Sequence, residues 1–239
     1  MNPKLEINIG RLVLKNPVIA ASGTFGYGRE YGNFFDIRRL GAITTKTITL
    51  KPRGGNKPPR IAETPSGMLN SIGLQNEGRD DFIKNKIPHL KKIGVKVIVS
   101  IGAESSGDFA LMAKMLSGRV GISALEINVS CPNVEHGVKN CRLFSQDEFM
   151  VNKIVKSVRK ATKLPLIAKL SPNVADIKPF ARAAEDAGAD AVSLVNTFFG
   201  MSIDIRTQKR ALGNISGRLS GPCIRPMACF MVHDAFQKI

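Results

Sequence analysis

The chain has 239 residues, 43% of them hydrophobic, a length that buries a sizeable core; α/β barrels of roughly 200–250 residues are often one domain. Against 19 Asp plus Glu stand 35 Lys plus Arg, a formal charge of +16 that favours anionic ligands, nucleic acid or an acidic partner. Scattered basic residues, no Trp and two Tyr weigh against nucleic acid, and no stretch approaches the ~20 apolar residues of a membrane span.

In chain order, Leu5, Ile7 and Ile9 alternate before Gly10 and Leu12, which predicts a hairpin capping one end of the fold. Short apolar runs then predict strands at Val18 to Ser22 and Gly41 to Thr47. From about Leu50 to Gly78 the chain is punctuated by Pro and Gly and reads as an irregular excursion over the mouth of the fold; a loop of that length is usually functional. A helix is expected from Asp80 to Ile93, a strand at Val97 to Ile101, a helix at Ser106 to Leu116 and a strand at Ala124 to Asn128. Helix Gln146 to Thr162, strand Leu166 to Leu170, helix Val174 to Ala187 and strand Ala191 to Val195 follow, with a last helix beginning near Pro222.

Strand and helix alternate, so the expected fold is α/β, a TIM-type (β/α)8 barrel with about six βα units present. The last two units are expected to be absent, and residues 1–239 are read as one barrel domain. An open, doubly wound sheet is the rival, but no GxGxxG follows the first strand. The opening residues MNPKLEINIG hold no apolar run of a secretory signal, so a cytoplasmic location is expected.

The loops after the strands carry the polar chemistry: SGTFGYG, TKTITLKPRGGNKPPR, NVSCPN, KLSPN and VNTFFG. In a parallel barrel these loops share the face that holds the active site. NVSCPN puts Asn128, Ser130, Cys131, Pro132 and Asn133 straight after a strand, where a thiol can serve as a general base or pack as a small apolar group. Lys46 and Lys169 lie in or at the end of apolar strands, where an ammonium either finds an anionic ligand or escapes to solvent. NSIGLQN, from Asn70 to Asn76, offers amides for a planar ring with alternating donors and acceptors, or else a capped helix entry; Asn196 and Thr197 share that ambiguity with turns. Cys131, Cys141, Cys223 and Cys229 show no CxxC spacing, and His89, His136 and His233 show no metal-ligand spacing, so no metal site is expected.

ASGTFGYG, PRIAETPSGMLNSIGLQN, EINVSCPN, AKLSPN, LVNTFFGM and LSGP, in this order over essentially the whole chain, resemble the dihydroorotate dehydrogenase family, in particular the class 1, NAD-linked (type B) catalytic subunits. The resemblance implies a (β/α)8 barrel that carries FMN and oxidises dihydroorotate to orotate in pyrimidine biosynthesis. It implies Cys131 as catalytic base, and Lys46, Asn70, Ser71, Ile72, Gly73, Leu74, Asn128, Asn196 and Thr197 as substrate-binding residues. It implies Ser22, Gly23, Lys46, Thr47, Ser100, Asn128, Lys169, Val195 and Gly221 as flavin-binding residues. As partners it implies a second copy of the chain and a separate electron-transfer subunit with FAD and an iron–sulfur cluster.

Three features depart from the family pattern: the expected loss of the last two units, Arg218 in SGRLSGP where the family has glycine, and GVKNCRLF after Cys131. Arg218 is expected to crowd the flavin, and the altered loop to impair closure over substrate. Two other readings remain open, a non-catalytic remnant serving as an assembly partner and a related flavin barrel acting on another dihydropyrimidine or on dihydrouridine.

Overall fold

The computed structural model describes residues 5–130 and 144–239. The chain opens with the antiparallel hairpin β1 (Ile7–Ile9) and β2 (Leu12–Leu14), turned at Gly10, whose φ is +53°. Strands β3 (Ile19–Ala20) and β4 (Ala42–Thr44) follow, then a second hairpin, β5 (Ile61–Thr64) and β6 (Gly67–Asn70).

Helix α1 (Gly78–Asp81), a π-helical stretch (Phe82–Lys86) and α2 (Ile87–Leu90) run on from one another. The wide turns end at Pro88, which has no N–H to donate and would crowd a tighter helix, the situation in which a π turn is tolerated. Then come β7 (Lys96–Ile101), α3 (Ser106–Leu116), β8 (Ala124–Asn128), α4 (Glu148–Ala161), β9 (Leu166–Lys169), α5 (Lys178–Asp186) and β10 (Ala191–Ser193). The rest comprises β11 (Phe198–Gly200), β12 (Ile203–Asp204), β13 (Lys209–Arg210), β14 (Gly217–Ser220) and α6 (Arg225–Phe236), the last preceded by a 3-10 turn over Pro222–Ile224.

Six strands form one wholly parallel sheet in the order β10-β9-β8-β7-β4-β3. Its two faces differ. Val97, Val99, Ile101, Leu125, Ile127, Leu166 and Ala168 face the helices, packing with Phe109, Met112, Val151, Ile154 and Ala181 in one core. Ala42, Ile98, Ala124 and Ile167 turn to the other face, where Leu12 and Leu14 of the first hairpin cover them. Helices on one face and a plug on the other describe a sheet curled into a barrel wall, whereas a doubly wound sheet carries helices on both.

The floor is fixed by charge as well as by packing. Arg11, in the turn of the first hairpin, donates from Nε and Nη2 to the two carboxylate oxygens of Asp190 at 2.7 and 3.0 Å. Asp190 also accepts from the Leu166 N–H at 2.8 Å and from Arg159 at 3.2 Å, so one carboxylate ties the plug to α4 and β9.

The stretch from Leu50 to Gly78, expected to be irregular, instead contains the β5–β6 hairpin, which joins β14 and β11 in a four-stranded antiparallel sheet of order β11-β14-β6-β5. Its strands are short and mostly exposed or half-buried, so they carry none of the continuous apolar runs that mark the barrel strands. The β12–β13 hairpin was not expected either, and the helix expected from Asp80 to Ile93 is interrupted by the π-helical stretch; further differences are at element ends. α4 begins at Glu148 because the Asp147 carboxylate accepts from the Met150 N–H, and α5 begins at Lys178, with Pro179 in its first turn.

Candidate active site

The C-terminal ends of the parallel strands place a connected set of small polar side chains at the mouth. Ser22, after β3, donates from Oγ to the Thr45 carbonyl at 2.8 Å and lies 3.4 Å from Thr47 Oγ1. Thr47 Oγ1 and Ser100 Oγ, both buried, are 2.9 Å apart, and Asn128 Nδ2 donates to Thr47 Oγ1 at 3.3 Å. Asn128 Oδ1 in turn accepts from the Ser130 N–H at 3.2 Å and from Asn196 Nδ2 at 3.3 Å, while Asn196 also donates to Ser130 Oγ at 2.9 Å. Thr197 joins through its N–H, 2.8 Å from Asn196 Oδ1. Residues from five strand ends thus form one network of amides and hydroxyls, which fixes which lone pairs and N–H groups face the mouth.

Two cations stand beside this network. Lys169, the last residue of β9, pairs in register with Asn128 on one side and Ser193 on the other. Lys46 is half-buried just beyond β4, its backbone N–H bonded to the Gly26 carbonyl at 2.9 Å. Neither ammonium is within ion-pair distance of a carboxylate among the described residues. Half-buried cations without a hydrogen-bonded counter-charge are costly in the absence of an anionic or electron-rich ligand. At Gly23, with φ +86°, no atom lies within 4 Å of where a Cβ would stand, so backbone there is open to close approach. The Leu194–Val195 peptide, beside Asn196, is cis.

The covering sheet supplies other sequence-expected residues in a different way. Asn70, at the end of β6, donates from Nδ2 to the Arg218 carbonyl at 3.1 Å, and the Ser71 hydroxyl accepts from Asn56 and Asn214 at 2.9 and 3.0 Å. Gly73 and Leu74 both have positive φ, +72° and +57°, and shape a tight turn after Ile72. Asn76 takes the helix-entry role: its Oδ1 accepts from Thr49 N–H at 3.1 Å and Gly78 N–H at 2.8 Å, and its Nδ2 donates to the Leu74 carbonyl at 2.7 Å. Asn173 couples the covering sheet to the barrel rim, accepting from the Phe199 N–H at 2.9 Å and donating to the Thr197 carbonyl at 3.1 Å.

Cys131, Pro132, Asn133 and residues 137–143 lie outside the described residues. Gly221 is not joined to the network by any hydrogen bond described; a Cβ there would stand 2.8 Å from Gly67 Cα, so it belongs to a close crossing of two chains. The Arg218 guanidinium lies 3.8 Å from the centre of the Phe199 ring, stacked across the β11–β14 pair. Glu126 escaped the sequence reading. It sits in the middle of β8, 4% exposed, on the inward face, and an acid inside the apolar run ALEIN was the available signal. Burial pushes its carboxyl above the ordinary range, against the pull of Lys169 and a hydrogen bond with Ser100.

A parallel barrel wall with a rim of amides and hydroxyls, two half-buried lysines and an open glycine backbone is of the α/β-barrel class, which places ligand sites at this mouth. The comparisons make the class specific. Residues 4–239 match the family model described as dihydroorotate dehydrogenase. The chain is 51% identical over 235 residues to the dihydroorotate dehydrogenase B (NAD(+)) catalytic subunit of Thermoanaerobacter sp. (strain X514), covering 98% of this chain and 76% of that protein. It is 48% identical over 239 residues to the protein of the same description from Desulforudis audaxviator (strain MP104C), covering 100% and 77%. The crystal structure of DHODH from Eimeria tenella in complex with ferulenol shares the fold, with a TM-score of 0.75 at 22% identity over 99% of this chain and 70% of that one. The chain belongs to the dihydroorotate dehydrogenase family.

Proposed function

We propose that this chain is the catalytic subunit of an NAD-linked dihydroorotate dehydrogenase, oxidising (S)-dihydroorotate to orotate in de novo pyrimidine biosynthesis. The observation that carries this reading is the rim itself, in which Asn128, Asn196 and Ser130 form one hydrogen-bonded group beside two lysines that have no ion-pair partner among the described residues. The cofactor is a flavin, read here as FMN, which when bound accepts the hydride lost by the substrate.

The half-buried rim fits that group. Ser22, Gly23, Lys46, Thr47, Ser100, Asn128, Lys169, Val195 and Gly221 are read as the flavin-holding set, with the lysines supplying positive charge toward electron-rich ring edges. Lys46, Asn128, Asn196 and Thr197, with Asn70, Ser71, Ile72, Gly73 and Leu74 of the covering sheet, are read as the substrate-holding set. Their amides can donate to and accept from a planar pyrimidine ring whose carboxylate faces an ammonium. Cys131 is read as the base that takes the ring proton while the hydride leaves the adjacent carbon.

The chain is read as a single flavin-binding barrel domain with two kinds of partner. Electrons pass to a separate subunit carrying FAD and an iron–sulfur cluster, which links the site to NAD. A homodimer is supported by the apolar residues gathered on and around the β12–β13 hairpin: Met201, Ile203 and Ile205 are 54%, 56% and 87% exposed. No helix among the described residues is long and apolar enough to cross a membrane, in keeping with the cytoplasmic location proposed.

The test is the visible spectrum of purified protein with excess FMN, followed by anaerobic dihydroorotate. Bound flavin that bleaches on addition of dihydroorotate supports the reading, and Cys131→Ala should then abolish bleaching without releasing flavin. Folded protein that takes up no flavin, or flavin that dihydroorotate leaves unbleached, would overturn it.

A further inference from the structure

Inside the barrel, one layer below the rim, Glu126 is, among the described residues, the one acidic side chain lining a cavity of about 410 Å3. Its cross-strand neighbour on β7 is Ser100, which hydrogen-bonds it; on β9 its neighbour is Ile167, so Lys169 stands diagonally above it on the same face. The other carboxylate oxygen, Oε1, is buried and has no hydrogen-bond partner. A desolvated carboxyl with a single hydrogen bond is held in its charged form only by a nearby cation. Lys169 is the cation acting on it among the described residues; Thr44 of β4, Ser193 of β10 and Val232 of α6, which also line the cavity, add no charge.

We infer that Glu126 is a positioning residue for Lys169, an internal counter-charge beyond ion-pair distance that acts on the ammonium through its field and exchanges a proton as the charge facing that ammonium changes. This rests on the reading that Lys169 meets the flavin. When electron density builds up in front of Lys169, its pull on Glu126 is offset and the carboxyl takes a proton from solvent. When that density leaves, the proton returns to solvent. Reduction at the mouth and protonation inside the barrel are thereby linked, although Glu126 itself touches neither substrate nor flavin.

The experiment uses the flavin-loaded chain and measures the flavin midpoint potential from pH 6 to 9 for the wild type, Glu126→Gln, Glu126→Asp and Lys169→Met. The wild type should show a pH-dependent segment that Glu126→Gln lacks. Where the wild-type carboxyl is ionised, the Gln variant should favour reduced over oxidised flavin about tenfold more, roughly 30 mV for a two-electron couple. Glu126→Asp should restore the segment, which a merely structural role would not do. An identical pH dependence in wild type and Glu126→Gln overturns the inference.

Should Glu126→Gln fail to fold, infrared titration of the buried carboxyl band decides the matter. Lys169→Met should raise its midpoint by about one pH unit or more, and an unmoved midpoint sinks the coupling. If Lys169→Met binds flavin as tightly as wild type, the assignment of Lys169 to the flavin falls, while the infrared result still judges Glu126 separately.

Discussion

At the scale of single residues, Asp190 carries the clearest consequence. Burial alone would raise its carboxyl, but hydrogen bonds from Arg11 and the Leu166 N–H, with the charges of Arg11 and Arg159, hold it below the ordinary range. Arg159 is the less favoured partner, being desolvated and facing the like charge of Arg11, yet it stays protonated throughout the working pH range. A carboxyl with a depressed folded value contributes stability that is complete above the unfolded value near 4 and is lost as pH falls through the folded one. Asp190→Asn should therefore flatten the loss of stability below about pH 4 and cost about 1–2 kcal/mol at neutral pH, less than for a buried pair because the Arg11 side chain is 55% exposed. Thermal melts from pH 3 to 7 check both; an unchanged acid limb would show that the triad contributes little.

Asn196 allows a prediction on activity. Its Nδ2 is the shared donor to Asn128 Oδ1 and Ser130 Oγ, so Asn196→Ala removes the donor to Ser130 Oγ and leaves Asn128 Oδ1 with the Ser130 N–H alone. A loss of roughly 1–3 kcal/mol per orphaned buried polar group corresponds to a ten- to hundredfold fall in kcat/KM. Steady-state kinetics with dihydroorotate measure it, and a change below twofold would remove Asn196 from the substrate set.

At the scale of elements, caps and crossings matter most. Ser105 Oγ accepts from the Asp108 N–H at 3.0 Å and closes the N-terminus of α3. Ser105→Ala should cost about 1 kcal/mol, read as a lower urea midpoint at unchanged slope. Gly67 and Gly221 hold the crossing of the covering hairpin with the chain after β14, where a Cβ on Gly67 would stand 2.6 Å from Cys223 Sγ and 2.7 Å from the Ser220 carbonyl. Gly67→Ala should separate β6 from β14 and disturb Asn70, which those strands position, weakening substrate binding more than flavin binding. Equal loss of both, measured by separate titrations, would contradict that division of labour.

The same elements show what sequence makes legible. All six barrel strands were readable as short apolar runs, the four central ones β4, β7, β8 and β9 largely buried and the edge strands β3 and β10 half-buried, and α3 because its apolar spacing and Ser105 cap agree. The covering sheet was not, since β5 and β6 are four residues each, carry few buried positions and flank Pro65 and Ser66, so they look like loop. At the site, Asn128, Asn196 and Lys169 stood out because polar residues ending apolar strands are anomalous. Glu126 is the same anomaly one turn of pleat deeper, hidden by the attention its neighbours draw.

At the scale of the whole molecule, Met201, Ile203 and Ile205 place three exposed apolar side chains on and beside the β12–β13 hairpin. Ile205, 87% exposed, has no packing of its own to lose. Ile205→Asp should leave thermal stability within about 0.5 kcal/mol of the wild type, as for ordinary surface positions, while shifting a dimer toward monomer in sedimentation experiments. Wild-type protein that is monomeric at high concentration would remove the proposed homodimer.

The floor plug has a temporal consequence. Arg11 and Asp190, which clasp it, are separated by 179 positions in the chain. At synthesis rates of about 5–20 residues per second, the clasp must wait roughly 10–35 seconds for its second half to leave the ribosome. During that interval Leu12 and Leu14, fully buried at the end, have no floor to cover, and the strands they will seal are still being made. The β1–β2 hairpin is thus made long before the strands it seals, and its apolar face stays exposed to chaperones and to aggregation until the barrel wall arrives.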